Sequence, residues 1–189
     1  MSDKQQESLL ANLRKKLKDN ITDIENRTDL SDDEKVFRIV KTFAAGCAGF
    51  AVQPIPFADF FVLTPIQAYM GSRIGAIRGM PITEAKAAEI FKEIAGVVGL
   101  GLLAQQLVIG AYKTFIPFLG AITTIPLVYG LTYAMGRVID LYFLQKKKRG
   151  VMDKDELKKM WAQMKKEGTD LGKKAKSKIM EEENVESNS

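Results

Sequence analysis

The chain has no histidine and a single cysteine, Cys47. Without histidine it lacks the usual general base near neutral pH, the commonest metal ligand, and every Ser-His or Cys-His nucleophile pair. Cys47 has no second cysteine to bridge and sits among the small apolar residues of Thr42 to Phe50. It reads as a buried hydrophobe rather than a reactive thiol, which fits a reducing compartment. A phosphate-binding G-x-x-x-x-G-K-[ST], a dinucleotide-binding G-x-G-x-x-G at a strand-to-helix junction and a C-x-x-C are all missing. Nucleotide hydrolysis, dinucleotide binding and zinc are set aside with them. No stretch alternates apolar and polar residues with β-branched enrichment, so no strand is predicted. Met1 to Asn20 carry both signs of charge and no unbroken apolar run, so no cleavable leader is predicted.

What is present is unevenly spread. At 189 residues the chain is long enough for one domain with a core and arms. Residues 1–41 hold nine basic and nine acidic side chains, whereas the 103 residues of 42–144 hold six and five. From Lys146 to Lys178 there are thirteen basic and five acidic residues, before the acidic run of Glu181 to Glu183 and Glu186. The pattern predicts an amphipathic N-terminal helical arm over 1–30, an apolar helical core domain over 31–145, a basic amphipathic helix over 146–180, and a disordered acidic tail over 181–189.

The apolar middle carries an echo. Ile55-Pro56-Phe57 recurs as Ile116-Pro117-Phe118, and Thr64-Pro65-Ile66 as Ile125-Pro126-Leu127, with both proline pairs nine apart. Tyr69 to Arg73 has a looser counterpart in Tyr133 to Arg137. Two copies of a helix, proline turn, helix unit are the simplest explanation. Pro54, Pro56 and Pro117 are the candidate turns, because proline lacks an N–H and drives the preceding residue toward extended geometry. The predicted fold is therefore all-α, two proline-broken helical hairpins with an amphipathic helix at each end.

Local signals place the helices. Leu10, Leu13, Leu17, Ile21 and Ile24 recur at helical spacing. Ser31-Asp-Asp-Glu34 is a capping box, and the helix after it presents Val36, Val40, Phe43, Cys47 and Phe50 on one face. Ala58 to Gly79 reads as one helix kinked at Pro65, with a start at Thr64 as the alternative. Gly71, Gly75 and Gly79 fall four apart and predict a flat stripe for a second helix backbone, against helix-end fraying before Met80-Pro81. Thr83 caps the next helix, and Asp153 the last, whose stripe is Leu157, Met160, Trp161, Met164, Leu171, Ala175 and Ile179, weakened by Gly168 and Gly172.

Polar residues inside the apolar region are the remaining candidates for chemistry. Asp59 and Asp140 stand as isolated carboxylates and give no signal of an acid–base pair. Asp59 suits a cap, or a buried pairing with Arg73 or Arg137. Gln105 and Gln106 suit hydrogen bonding between helices. No catalytic, cofactor-binding or metal-binding residue is predicted.

The uncharged runs suggest a membrane. Ile94 to Tyr112 is nineteen residues without charge, about 28 Å as a helix and close to a hydrocarbon core. Thr114 to Gly136 adds twenty-three more around Pro117 and Pro126. Lys146, Lys147, Lys148 and Arg149 follow as a positive-inside anchor and candidate lipid-headgroup contact. With only Trp161 beside the C-terminal lysines, nucleic acid is not predicted as a partner.

Pro54-Ile-Pro56-Phe-Ala-Asp59, Leu63-Thr64-x-Ile66-Gln67, Ile116 to Ala121 and Leu131 to Gly136 together give residues 35–144 a likeness. The chain resembles a bacterial family registered as domain of unknown function 697. The resemblance implies an apolar helical domain, membrane-associated and attached to or encoded beside small GTPases. It brings no catalytic residues, and the GTPase itself is absent here. The expectation is a non-enzymatic membrane-associated module at a bacterial inner membrane with cytoplasmic termini, an adaptor to a GTPase or membrane complex. The competing expectation is a soluble all-α interaction domain.

Overall fold

The computed structural model describes residues 3–51, 64–99, 117–148, 150 and 153–187, with side chains for all of these but 3–6, 9, 117–124 and 183–187. Six helices and no strand occur among them: α1 (Asp3–Asn26), α2 (Asp32–Phe50), α3 (Thr64–Ile77), α4 (Glu84–Val98), α5 (Pro117–Lys147) and α6 (Lys154–Ser187). Residues 52–63 and 100–116, with Pro54, Pro56, Asp59, Gln105 and Gln106, lie outside the described residues, as does Arg149.

The caps form as the sequence dictates. The Ser31 hydroxyl accepts from the Glu34 N–H at 3.3 Å while the Glu34 carboxylate accepts from the Ser31 N–H at 2.9 Å. Thr83 accepts from the Lys86 N–H at 3.2 Å, and Asp153 from the N–H groups of Asp155 and Glu156 at 3.0 and 2.9 Å. Each satisfies a backbone donor that has no partner within its own helix.

Leu13, Leu17 and Ile21 of α1 are buried against α2, where Gly46 admits the Leu17 side chain. On α2 the whole predicted face is buried, together with Ile39, Ala44 and Ala48 on its flanks. The burial has a simple cause. α2 is packed by α1, α3 and α5 at once, and from Thr42 onward, where it is apolar all round, it can be covered on every side.

α5 is the central element, with α2, α3 and α6 packed along it. Ile125, Val128, Tyr129, Leu131, Tyr133, Met135, Val138, Ile139 and Phe143 are all buried, each side chain stabilising the fold by roughly 1.5–3 kcal/mol relative to exposure. Pro126, which falls within the uncharged run from Thr114 to Gly136, lies inside a continuous helix. The lost N–H bond leaves one carbonyl short, and the proline instead forms part of the surface on which α6 rests: a methyl at Gly172 would meet Pro126 Cα at 2.9 Å. Pro117, by contrast, is the first residue of α5, where its missing N–H costs nothing.

Gly168 and Gly172, expected to weaken the last helix, are what let it approach. A methyl at Gly168 would meet Tyr133 Cβ at 2.7 Å and Gly130 Cα at 3.0 Å, so the two backbones touch through facing glycines. α6 is thus an integral helix rather than a surface arm. It also continues to Ser187, through the stretch from Glu181 where lack of periodicity predicted a disordered tail.

Contacts fix the directions. Asp33 meets Arg78 and Phe43 meets Tyr69, so α2 and α3 run antiparallel. Gln67 bonds Thr132, while Gly71 lies against Ile139 and Gly75 against Phe143, so α3 and α5 run parallel. Tyr133 meets Gly168 and Pro126 meets Gly172, so α6 runs back along α5. The C-terminal ends of α2, α4 and α6 and the N-terminal ends of α3 and α5 therefore lie together. Ala51, Thr64, Gly99 and Pro117 are thus grouped at that one end.

Among the described residues no helix is long and apolar enough to cross a membrane. The expected span over Thr114 to Gly136 is, from Ile125 onward, interior surface covered by other helices.

Candidate functional site

Ionisable side chains in this core are sorted into three arginine settings. Arg78, just past α3, is the most enclosed: its side chain and that of Asp140 are each 7% exposed. Arg78 Nε donates to Asp140 Oδ1 at 2.6 Å and Nη2 to Oδ2 at 3.0 Å, while Nη1 pairs with Asp33 at 2.7 Å. Burial works against the charge, but the bonds to Asp140 and Asp33 outweigh it and hold the guanidinium above its ordinary value. The cluster ties the start of α2 and the end of α3 to α5. Asp140 is not isolated, as its sequence neighbourhood suggested; its partner lies sixty-two residues away.

The other two settings are a matched pair. Tyr69 on α3 lies edge-on to Phe43 of α2, with centroids 5.6 Å apart, and Tyr133 on α5 lies edge-on to Phe37 of α2 at 6.4 Å. One turn beyond each tyrosine is an arginine. Arg73 donates from Nε to Glu25 Oε1 at 2.7 Å and pairs through Nη2 with Oε2. That bond to Glu25 raises its pKa. Asp59, the expected buried partner of Arg73 or Arg137, lies outside the described residues; the partner seen at Arg73 is Glu25 of α1, with the arginine side chain 36% exposed.

Arg137 has no such carboxylate among the described residues. Its Nε is buried with no hydrogen-bond partner, and its Cζ lies 5.8 Å from the centre of the Phe37 ring. Lys41 Nζ lies 5.3 Å from the same ring. The nearby Tyr133 hydroxyl donates to Glu167 at 2.6 Å; burial, then this bond, push the phenol's pKa up and keep it neutral. Beside Phe37 is an open groove of about 550 Å³ lined by Ile24, Glu34, Phe37, Arg38, Lys41 and Thr42. The carboxylate of Glu34 bonds its own cap, so the groove presents two cations, one capped acid and an aromatic ring.

The glycine stripe divides. A methyl at Gly71 would meet Ala87 Cβ at 3.1 Å and Ile139 Cδ1 at 3.4 Å, and one at Gly75 would meet Met80 O at 2.8 Å and Phe143 Cζ at 2.9 Å. Gly79 has nothing within 4 Å and φ of +74°. It ends α3: its N–H bonds Ala76 O at 3.0 Å and the Met80 N–H bonds Gly75 O at 2.8 Å, the paired bonds of a glycine-terminated helix. The stripe of three is thus two packing positions and one cap.

Lys146, Lys147 and Lys148 are exposed at the end of α5, about 45 Å from Pro117 at 1.5 Å per residue. They stand at the opposite pole from Ala51, Thr64, Gly99 and Pro117. The lysines toward the Pro117 end are on α6: Lys173, Lys174 and Lys178, alongside and beyond Gly172, which packs on Pro126.

Glu25, Arg78 and Glu167 escaped the sequence reading, since nothing local marks a partner in another helix. Among the described residues no three of the Asp, Glu and Cys side chains are placed to hold a metal. What the groove and Arg137 offer chemically is recognition of an anion. No family model matches the chain, nor does any curated protein or solved structure.

Proposed function

We propose that this chain is a non-enzymatic, membrane-associated helical module that acts as an adaptor to a separate partner, with a small GTPase or membrane complex as the partner class that the family resemblance suggests. One observation carries the membrane part. The described residues that flank the two apolar segments, Ala51 and Thr64 for 52–63 and Gly99 and Pro117 for 100–116, lie at one end of the bundle, and the segments carry Asp59 and Lys113 as their single charges. The faces of α1 and α6 that look outward are charged, with Lys15, Lys16, Lys173 and Lys174 among them, so the bundle stays in water and contact with lipid is confined to that end. Lys173, Lys174 and Lys178 lie near it, and each lysine close to an anionic surface contributes about 1 kcal/mol. In this reading they, rather than Lys146, Lys147, Lys148 and Arg149, meet the headgroups.

Flotation with vesicles of phosphatidylcholine and phosphatidylglycerol tests it. The chain should float, and reversing Lys173, Lys174 and Lys178 to Glu together should weaken partitioning at least tenfold, while the same change at Lys146, Lys147 and Lys148 leaves it unaltered. A chain that stays at the bottom of the gradient overturns the membrane reading. The second reading, a soluble interaction domain, then takes its place, favoured by the covering of residues 125–143 of α5 by other helices.

A further inference from the structure

We infer that the face formed by Phe37, Lys41 and Arg137 docks an acidic segment of a partner protein, whose Glu or Asp side chain takes, at Arg137, the place that Glu25 takes at Arg73. The inference deepens the adaptor reading and rests on its partner, not on its lipid contact. The two parallel helices α3 and α5 flank α2 in the same way, each setting a tyrosine edge-on against an α2 phenylalanine. Each follows it one turn later with an arginine. On the α3 side the amphipathic helix α1 lies across α2 and delivers Glu25 to Arg73, at 2.7 Å.

On the α5 side no described helix delivers an acid. Arg137 keeps a buried Nε with no hydrogen-bond partner among the described residues, and buried charged donors in folded proteins are rarely left so. The acids nearby are already engaged: Glu167 with the Tyr133 hydroxyl at 2.6 Å, and Glu34 with the Ser31 N–H and hydroxyl at 2.9 and 2.8 Å. Lys41 forms no ion pair among the described residues and rests over Phe37. Arg38 adds a third cation while facing Asp29 and Glu34.

The surroundings choose a peptide over a bare phosphate or a lipid. Phe37, Ile24 and Thr42 give the groove apolar wall, and its volume of about 550 Å³ takes several side chains; a lone phosphate would use only the cations. The groove also flanks the first half of α2, well away from the end of the bundle where Ala51, Thr64, Gly99 and Pro117 lie. An acidic amphipathic helix, with carboxylates for Arg137 and Lys41 and apolar residues between them, matches both parts.

The test is a side-chain titration of the intact chain labelled with ¹⁵N-arginine, without lipid. The buried Arg137 Nε–H resonance should move saturably as the peptide acetyl-ELLEELLEELL-amide is added, while that of Arg73 stays in place. Arg137→Gln should remove the response, and Lys41→Glu, on a half-exposed side chain, should weaken binding at least tenfold with the Arg137 resonance still visible. No movement at millimolar peptide overturns the inference. So does movement with inorganic phosphate or phosphatidylglycerol vesicles while the peptide is inert, which would assign the site to a phosphate instead. Because flotation contains no peptide and this titration no lipid, either reading can fail while the other stands.

Discussion

Arg73 and Arg137 occupy matched positions on two parallel helices, each one turn beyond a tyrosine braced on α2, and they differ in one respect: α1 brings a carboxylate to the first and no described helix brings one to the second. The difference teaches that the fold tolerates an unsatisfied guanidinium only where one side is open. Arg78, enclosed on all sides, has two acids. Arg137, part-buried behind the Phe37 ring that lines the open groove, has that aromatic ring. An ion pair deep in the core is thus obligatory once one partner is there, whereas a half-open site can wait for a partner from outside.

The comparison can be broken by giving Arg78 the condition of Arg137. Asp140→Ala leaves a buried guanidinium with only the exposed Asp33, and should cost about 3 kcal/mol, the usual loss when one member of a buried pair is removed; urea denaturation followed by circular dichroism measures it. A midpoint unchanged from the parent would show that enclosure is not what makes the pair necessary. Glu25→Gln puts Arg73 in the same condition at a part-exposed site, and about 0.5 kcal/mol is expected by the same measurement. Arg137→Met should change stability by no more than about 0.5 kcal/mol, since the lost contact with Phe37 is offset by removing an unsatisfied donor.

The exposed reference is Arg27–Asp29, joined at 2.5 Å through Nε. The bond from Arg27 holds the Asp29 carboxyl at about 2, below its ordinary 3.8. A depressed carboxyl stabilises the fold above pH 3.8 and loses that contribution as pH falls through about 2. Carboxyl resonances followed by NMR between pH 5 and pH 1.5 should show that midpoint, and in Arg27→Gln it should move up toward the ordinary value.

Much of the architecture was legible because it is written in local patterns. The Ser31 capping box, the Thr83 cap, the α1 stripe of Leu13, Leu17 and Ile21, and the α2 face each depend on residues within one or two turns. Where the reading went astray, the deciding contact came from another element. Gly168 and Gly172 look like helix weakeners until Gly130 and Pro126 are set against them. Gly79 shares its spacing with Gly71 and Gly75, and only a positive φ separates a cap from a contact. The candidate site was the least legible part. Arg137 could be singled out as a buried polar residue, but its lack of a carboxylate among the described residues is a property of helices ninety-six residues apart along the chain, α2 at Lys41 and α5 at Arg137.

Placing the central helix second to last has a consequence for biosynthesis. Because α5 supplies the surface that covers α2 and α3, and α6 then closes over α5, the first hundred residues leave the ribosome with their greasiest sides bare. A nascent chain halted before Pro117 should be a client for chaperones, and maturation should come as a single late event once Lys154 to Ser187 has been translated.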